Sequence, residues 1–126
     1  MNVVDSSAWL EYFSGGPNAN AFTPPIENVD ELLVPSIVLL EVFKRVLQQR
    51  GEEAALQAAA HMQTGQLVPL DDELALSAAK LGMETKLPLA DSVILATAKK
   101  YSATVWTMDS DFQGLPKVEY VPKNKK

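Results

Sequence analysis

Five short runs of β-branched or apolar residues frame this chain, and each stops at an aspartate or a proline, residues that strand interiors disfavour. NVV ends at Asp5, ELLV at Pro35, QLV at Pro69, ATVWTM at Asp109 and VEYV at Pro122. The first four lead toward helix-like sequence. Ser6 or Ser7 can cap AWLEYF, Ser36 can cap IVLLEVFKRVLQQR, and Asp71 or Asp72 can cap ELALSAAKLG. Pro88 suits the first turn of LADSVILATAKKY, and Gly15, Gly51 and Gly65 supply helix stops. Strands alternating with helical segments of this length form βαβ units, so the expected fold class is α/β, a mainly parallel sheet with helices on both faces. GGPNANAFTPPIEN reads as a short helix and loop, because Pro24 and Pro25 interrupt any long helix.

With 126 residues, 47% of them hydrophobic, the chain can build one core but not two ordinary domains. One domain over 1–126 is expected, with the tail 122–126 frayed. No stretch approaches the ~20 consecutive apolar residues of a membrane span, and a cytosolic location is expected. Cysteine is absent and His61 is the sole histidine. That excludes disulfide scaffolds, thiolate zinc sites and cysteine nucleophiles, and it argues against serine-hydrolase chemistry. His61, inside AALQAAAHMQ, reads as a helix-surface residue without a role. The net charge of −5 has the wrong sign for a broad basic nucleic-acid surface. It suits a metal nuclease better, since acids would serve as ligands and bound ions would reverse the local field.

Four carboxylates then stand out. Asp5 follows the first strand at its carboxyl end, where open α/β sheets place ligands, although a capping role is equally natural. Glu41 lies where the first turn of its helix, with Ile37 and Val38, gives way to Lys44, Arg45 and Gln48; alone it reads as half of a surface ion pair. Asp91 has Ile94, Leu95 and Ala98 at i+3, i+4 and i+7, so it sits on an apolar helix face with no base within a turn. A carboxylate there needs a metal, hydrogen-bond donors or a raised pKa. Asp109 ends the fourth strand, and Asp111 would point the same way in extended geometry; an Asx turn into Phe112 is the alternative. If the strands are parallel, all four acids face one crevice at one sheet edge, which an all-oxygen site for hard cations resolves.

The segments VVDSSAWLEYF, LLVPSIVLLEV, LPLADSVILATA and VWTMDSDF, in this order, resemble the PIN-domain ribonucleases, and more closely the VapC toxins of prokaryotic toxin-antitoxin pairs. The resemblance implies a three-layer α/β/α fold and Mg2+- or Mn2+-dependent endonucleolytic cleavage of RNA. It also implies an acidic quartet on Asp5, Glu41, Asp91 and Asp109, with Asp5 and Asp91 the most direct metal ligands and Asp111 an auxiliary acid. Ser6 and Thr107 would position ligands or water, the protein would form a homodimer, and a VapB-like antitoxin would block the site. Lys44, Arg45, Arg50, Lys99 and Lys100 are the candidates for phosphate contacts, against the ordinary reading of a solvated face. Two other functions are compatible with the residues: a non-catalytic PIN-like module that binds protein or RNA, and a phosphotransfer enzyme using Asp71-Asp72 or Asp109-x-Asp111.

Overall fold

The computed structural model describes residues 1–123. Five strands, β1 (Asn2–Val4), β2 (Leu32–Pro35), β3 (Gln66–Val68), β4 (Thr104–Thr107) and β5 (Val118–Tyr120), form a wholly parallel sheet in the order β3-β2-β1-β4-β5. Helices α1 (Ser6–Ser14) and α2 (Ala19–Glu27) connect β1 to β2, α3 (Ser36–Arg50) and α4 (Glu52–Met62) connect β2 to β3, and α5 (Asp72–Thr85) and α6 (Leu89–Lys100) connect β3 to β4. Successive strand residues point to opposite faces, yet Leu32, Leu33, Val34 and Pro35 are all buried. Both faces of the sheet are therefore covered, giving the expected α/β/α layering.

Chain order decides where a site can form. From the central β1 the chain winds outward through β2 and β3, then returns to lay β4 on the other side of β1. Strand order reverses between β1 and β4, which leaves a crevice at their carboxyl ends. Asp5 and Asp109 emerge there, one following each of these two strands.

Several local expectations are corrected. The cap of α1 is Asp5 itself, whose side chain accepts the Ala8 N–H, and Ser6 and Ser7 lie inside the first turn. Pro35 precedes α3 without a side-chain cap, and Ser36 Oγ instead accepts the Leu70 N–H at 3.1 Å. Pro88 stands one residue before α6 rather than within its first turn. Pro24 and Pro25 do not break α2; the helix runs through both, with Phe22, Pro25 and Ile26 buried to hold it. Packing outweighs the missing N–H donors over so short a helix. His61 is not a plain surface residue: its ring meets those of Trp9, Tyr12 and Phe13 edge-on. In the tail, Pro122 is tied by its carbonyl, which accepts from Asn18 Nδ2 at 3.3 Å, while 124–126 lie outside the described residues.

Candidate active site

Asp5 is the best-anchored acid, only 2% exposed. Its Oδ1 accepts from Ser7 Oγ at 2.7 Å and from the Ala8 N–H at 3.0 Å, and its Oδ2 accepts from Thr107 Oγ1 at 2.7 Å. Burial pushes its carboxyl up to about 6, against the pull of these hydrogen bonds and with help from the charge of Asp109. Capping and site geometry are thus not alternatives: one oxygen closes the helix and the other reaches across the switch point to β4.

Thr107 links two acids. Besides donating to Asp5, its hydroxyl accepts the Asp109 N–H at 2.8 Å, and it is fully buried. Ser7 adds a second tie, accepting the Met108 N–H at 3.2 Å while it donates to Asp5. From sequence Ser7 is only a possible cap, and its place two residues after Asp5 is the signal that ties it to the site. Past β4 the chain turns rather than running extended, and Asp109 Oδ1 accepts the Asp111 N–H at 2.9 Å in an Asx-type turn opening the 3-10 segment Ser110–Phe112.

That turn sets the closest grouping. One carboxylate oxygen from each of Asp91, Asp109 and Asp111 lies within 4.8 Å of the others. Asp91 gets there from the first turn of α6, a helix buried on every side from Ser92 to Ala98, not only along the stripe of Ile94, Leu95 and Ala98. Half-buried, it is pushed up to about 7, first by burial and then by the charge of Asp109, a hydrogen bond to Asp109, and the charges of Asp5 and Asp111. Two approaches help place it. Gly82 of α5 brings the backbone so near that a Cβ would sit 2.9 Å from Ser92 Oγ, and that hydroxyl donates to the Leu87 and Pro88 carbonyls.

Asp5 and Glu41 both stand outside this trio, and Glu41 is not in a surface ion pair. The Glu41 Oε1 accepts from Ser6 Oγ at 2.5 Å, joining α3 to the first turn of α1. Among the described residues the ion pairs are Met1 with Glu31 and Lys100 with Glu73, so no lysine or arginine neutralises the acids of the crevice. The donor set is all oxygen, partly buried and uncompensated, and it fits a hard divalent cation.

Comparison with known proteins agrees with this architecture. The family model described as PIN domain matches residues 3–118. Ribonuclease VapC4 of Mycobacterium tuberculosis is 33% identical over 129 residues, covering 96% of this chain and 98% of that protein. Among solved structures, a toxin-antitoxin complex from Klebsiella pneumoniae superposes with a TM-score of 0.79 at 24% identity, over 94% of this chain and 96% of that one. The sarcin-ricin loop cleaving toxin VapC20 of Mycobacterium tuberculosis gives 0.78 at 21% identity, over 97% of this chain and all of that one. At these identities the two structures speak to the fold, and it is the family model and VapC4 that carry the assignment. The chain belongs to the PIN-domain family.

Proposed function

We propose that this protein is a divalent-metal-dependent endoribonuclease, the toxin of a toxin-antitoxin pair. The observation that carries the proposal is the convergence of Asp91, Asp109 and Asp111 oxygens within 4.8 Å at the strand switch point. The 33% identity to a ribonuclease over nearly the full chain supports it. Asp5, Asp91 and Asp109 are the residues assigned to hold Mg2+ or Mn2+, with Asp111 joining them and Glu41 completing the acidic rim. When bound, such an ion neutralises the cluster, polarises the phosphate and acidifies an attacking water.

The chain's own residues fix the geometry. Thr107, Ser7 and the Ala8 N–H lock the rotamer of Asp5, and Thr107 with the Asp111 N–H locks Asp109. Ser6 holds Glu41 toward α1, where its free oxygen can take a hydrogen bond or a proton from water. Hydrolysis joins the water oxygen to phosphorus and breaks one P–O ester bond, with a rim carboxylate receiving the water's proton and the leaving ribose oxygen taking one from solvent. No protein nucleophile is needed.

An antitoxin partner and a cytoplasmic setting follow from the same reading, and no helix among the described residues is long and apolar enough to cross a membrane. Homodimerisation is supported by Leu76 and Met83 on α5 and Leu89 at the start of α6, which are 69%, 78% and 85% exposed. The test is cleavage of defined RNAs by protein stripped with EDTA and reloaded with Mg2+ or Mn2+. Cutting that appears only on reloading supports the proposal; no cutting with either ion defeats it.

A further inference from the structure

Two neighbouring hollows open beside the acids. One, of about 510 Å³, runs from Asp109 past Tyr120; the other, of about 690 Å³, lies between α1 and α3 and is walled by Arg45 and Arg50. Both are lined by Ser7, Met108 and Lys123, so they adjoin along these residues in a trough that starts at Asp109 and ends on α3. Ser7 matters here because it also bonds Asp5, which ties the trough floor to the site.

The trough's charge is opposite to that of the whole chain. In a protein of net charge −5, its α1–α3 half presents Arg45, Arg50 and Lys123 against one acid, Glu11, whose Oε2 already accepts the Asn18 N–H at 2.8 Å, and Asp109 is the acid of the other half. Neither arginine is ion-paired among the described residues. A second basic hollow, at Lys80, Lys99 and Lys100, has its own acids in Glu73 and Glu84, and Lys100 is paired with Glu73 at 3.2 Å. Lys100 is therefore already engaged, whereas Arg45 and Arg50 are not. Arg45 also borders the hollow that holds Glu41 and Lys44.

We propose that the trough binds the unpaired RNA strand on one side of the cut, with Arg45 and Arg50 clasping its phosphates and the Tyr120 ring taking a base. This rests on the ribonuclease reading above. Guanidinium groups suit phosphate by their paired donors, and a half-buried aromatic ring accepts any splayed base. The strand thus runs from the acid cluster over Ser7 and Met108 toward the carboxyl half of α3.

The test measures binding and cutting separately. Binding of a fluorescein-labelled single-stranded RNA is followed by anisotropy in EDTA across a salt series, and cleavage kinetics are followed with Mn2+. The double variant Arg45→Gln/Arg50→Gln is expected to bind about 10-fold or more weakly. Its slope of log affinity against log salt should fall by about 1.4, from two phosphate contacts at ~0.7 each. KM should rise with kcat little changed, and Lys99→Gln/Lys100→Gln should match wild type in both assays. An unchanged salt slope and KM in the arginine variant overturns the trough while leaving cleavage itself intact. Loss of binding to an acidic peptide but not to RNA in that variant also overturns it, reassigning the wall to a protein partner. Failure of wild type to cut at all strikes instead at the ribonuclease reading.

Discussion

Replacing Asp5 by Asn should make the metal-free protein less sensitive to pH, and the size of the effect follows from burial. Folding lifts the Asp5 carboxyl from its ordinary 3.8 to about 6. The folded value is the higher one, so the protonated form stabilises the fold: the contribution is complete below pH 3.8, declines as pH rises through 6, and is gone above about 7. Its full size is about 3 kcal/mol, of which about 1.4 kcal/mol is lost between pH 5 and pH 8. Asn keeps much of the geometry. Its oxygen can still accept from Ser7 and the Ala8 N–H, while its amide meets Thr107 Oγ1 with the bond reversed. That swap costs about 1 kcal/mol at any pH. Urea denaturation of both proteins in EDTA at the two pH values reads Asp5 together with the part of the Asp91 shift that the Asp5 charge causes, and both contributions have the same sign. Wild type should lose at least about 1.4 kcal/mol more than the variant on going from pH 5 to pH 8. Equal pH responses would refute the claim that burying an ionised Asp5 is costly in the metal-free protein.

Thr107→Val removes the hydroxyl shared by Asp5 and Asp109 at nearly constant volume; cleavage should fall about 10- to 100-fold, and urea titration should show about 1–2 kcal/mol lost. Gly65→Ala places a Cβ 2.9 Å from the Leu32 carbonyl oxygen and 3.0 Å from Leu32 Cγ, so stability should drop about 1–3 kcal/mol with the chemistry intact in the cold. An unchanged melt would mean that the β2–β3 edge yields easily. Mn2+ at about 100 times its Kd should raise the stability of EDTA-stripped protein by about 2.7 kcal/mol, and Asp91→Asn should abolish most of that gain.

The strands were legible because β-branched runs meet their stops at Asp5, Pro35, Pro69, Asp109 and Pro122, and the stops mark the sheet edge that carries the site. Asp91 was legible for a related reason: a 3.6-residue period puts it on the same face as Ile94, Leu95 and Ala98. Which of Asp5, Ser6 and Ser7 caps α1 was not, since all three are competent and the choice depends on how β1 exits beside β4. Glu41 read as a surface pair because its true partner, Ser6, lies 35 residues away. Asp111 is expected beside Asp109 on a strand period, but an Asx-type turn is what brings the two together. The basic trough was invisible for the same reason as the Glu41 bond: Arg45, Arg50 and Lys123 meet only after α3 and the chain end fold beside α1.

The most direct test of the acid cluster is single-turnover cleavage of one defined single-stranded RNA by wild type and by Asp91→Asn, both with Mn2+ and both confirmed folded by circular dichroism. The geometry predicts internal cuts by wild type, and a rate at least about 100-fold lower in the variant with RNA binding retained. Equal rates in the two proteins would contradict the assignment of the active site to the acids at the β1–β4 crevice.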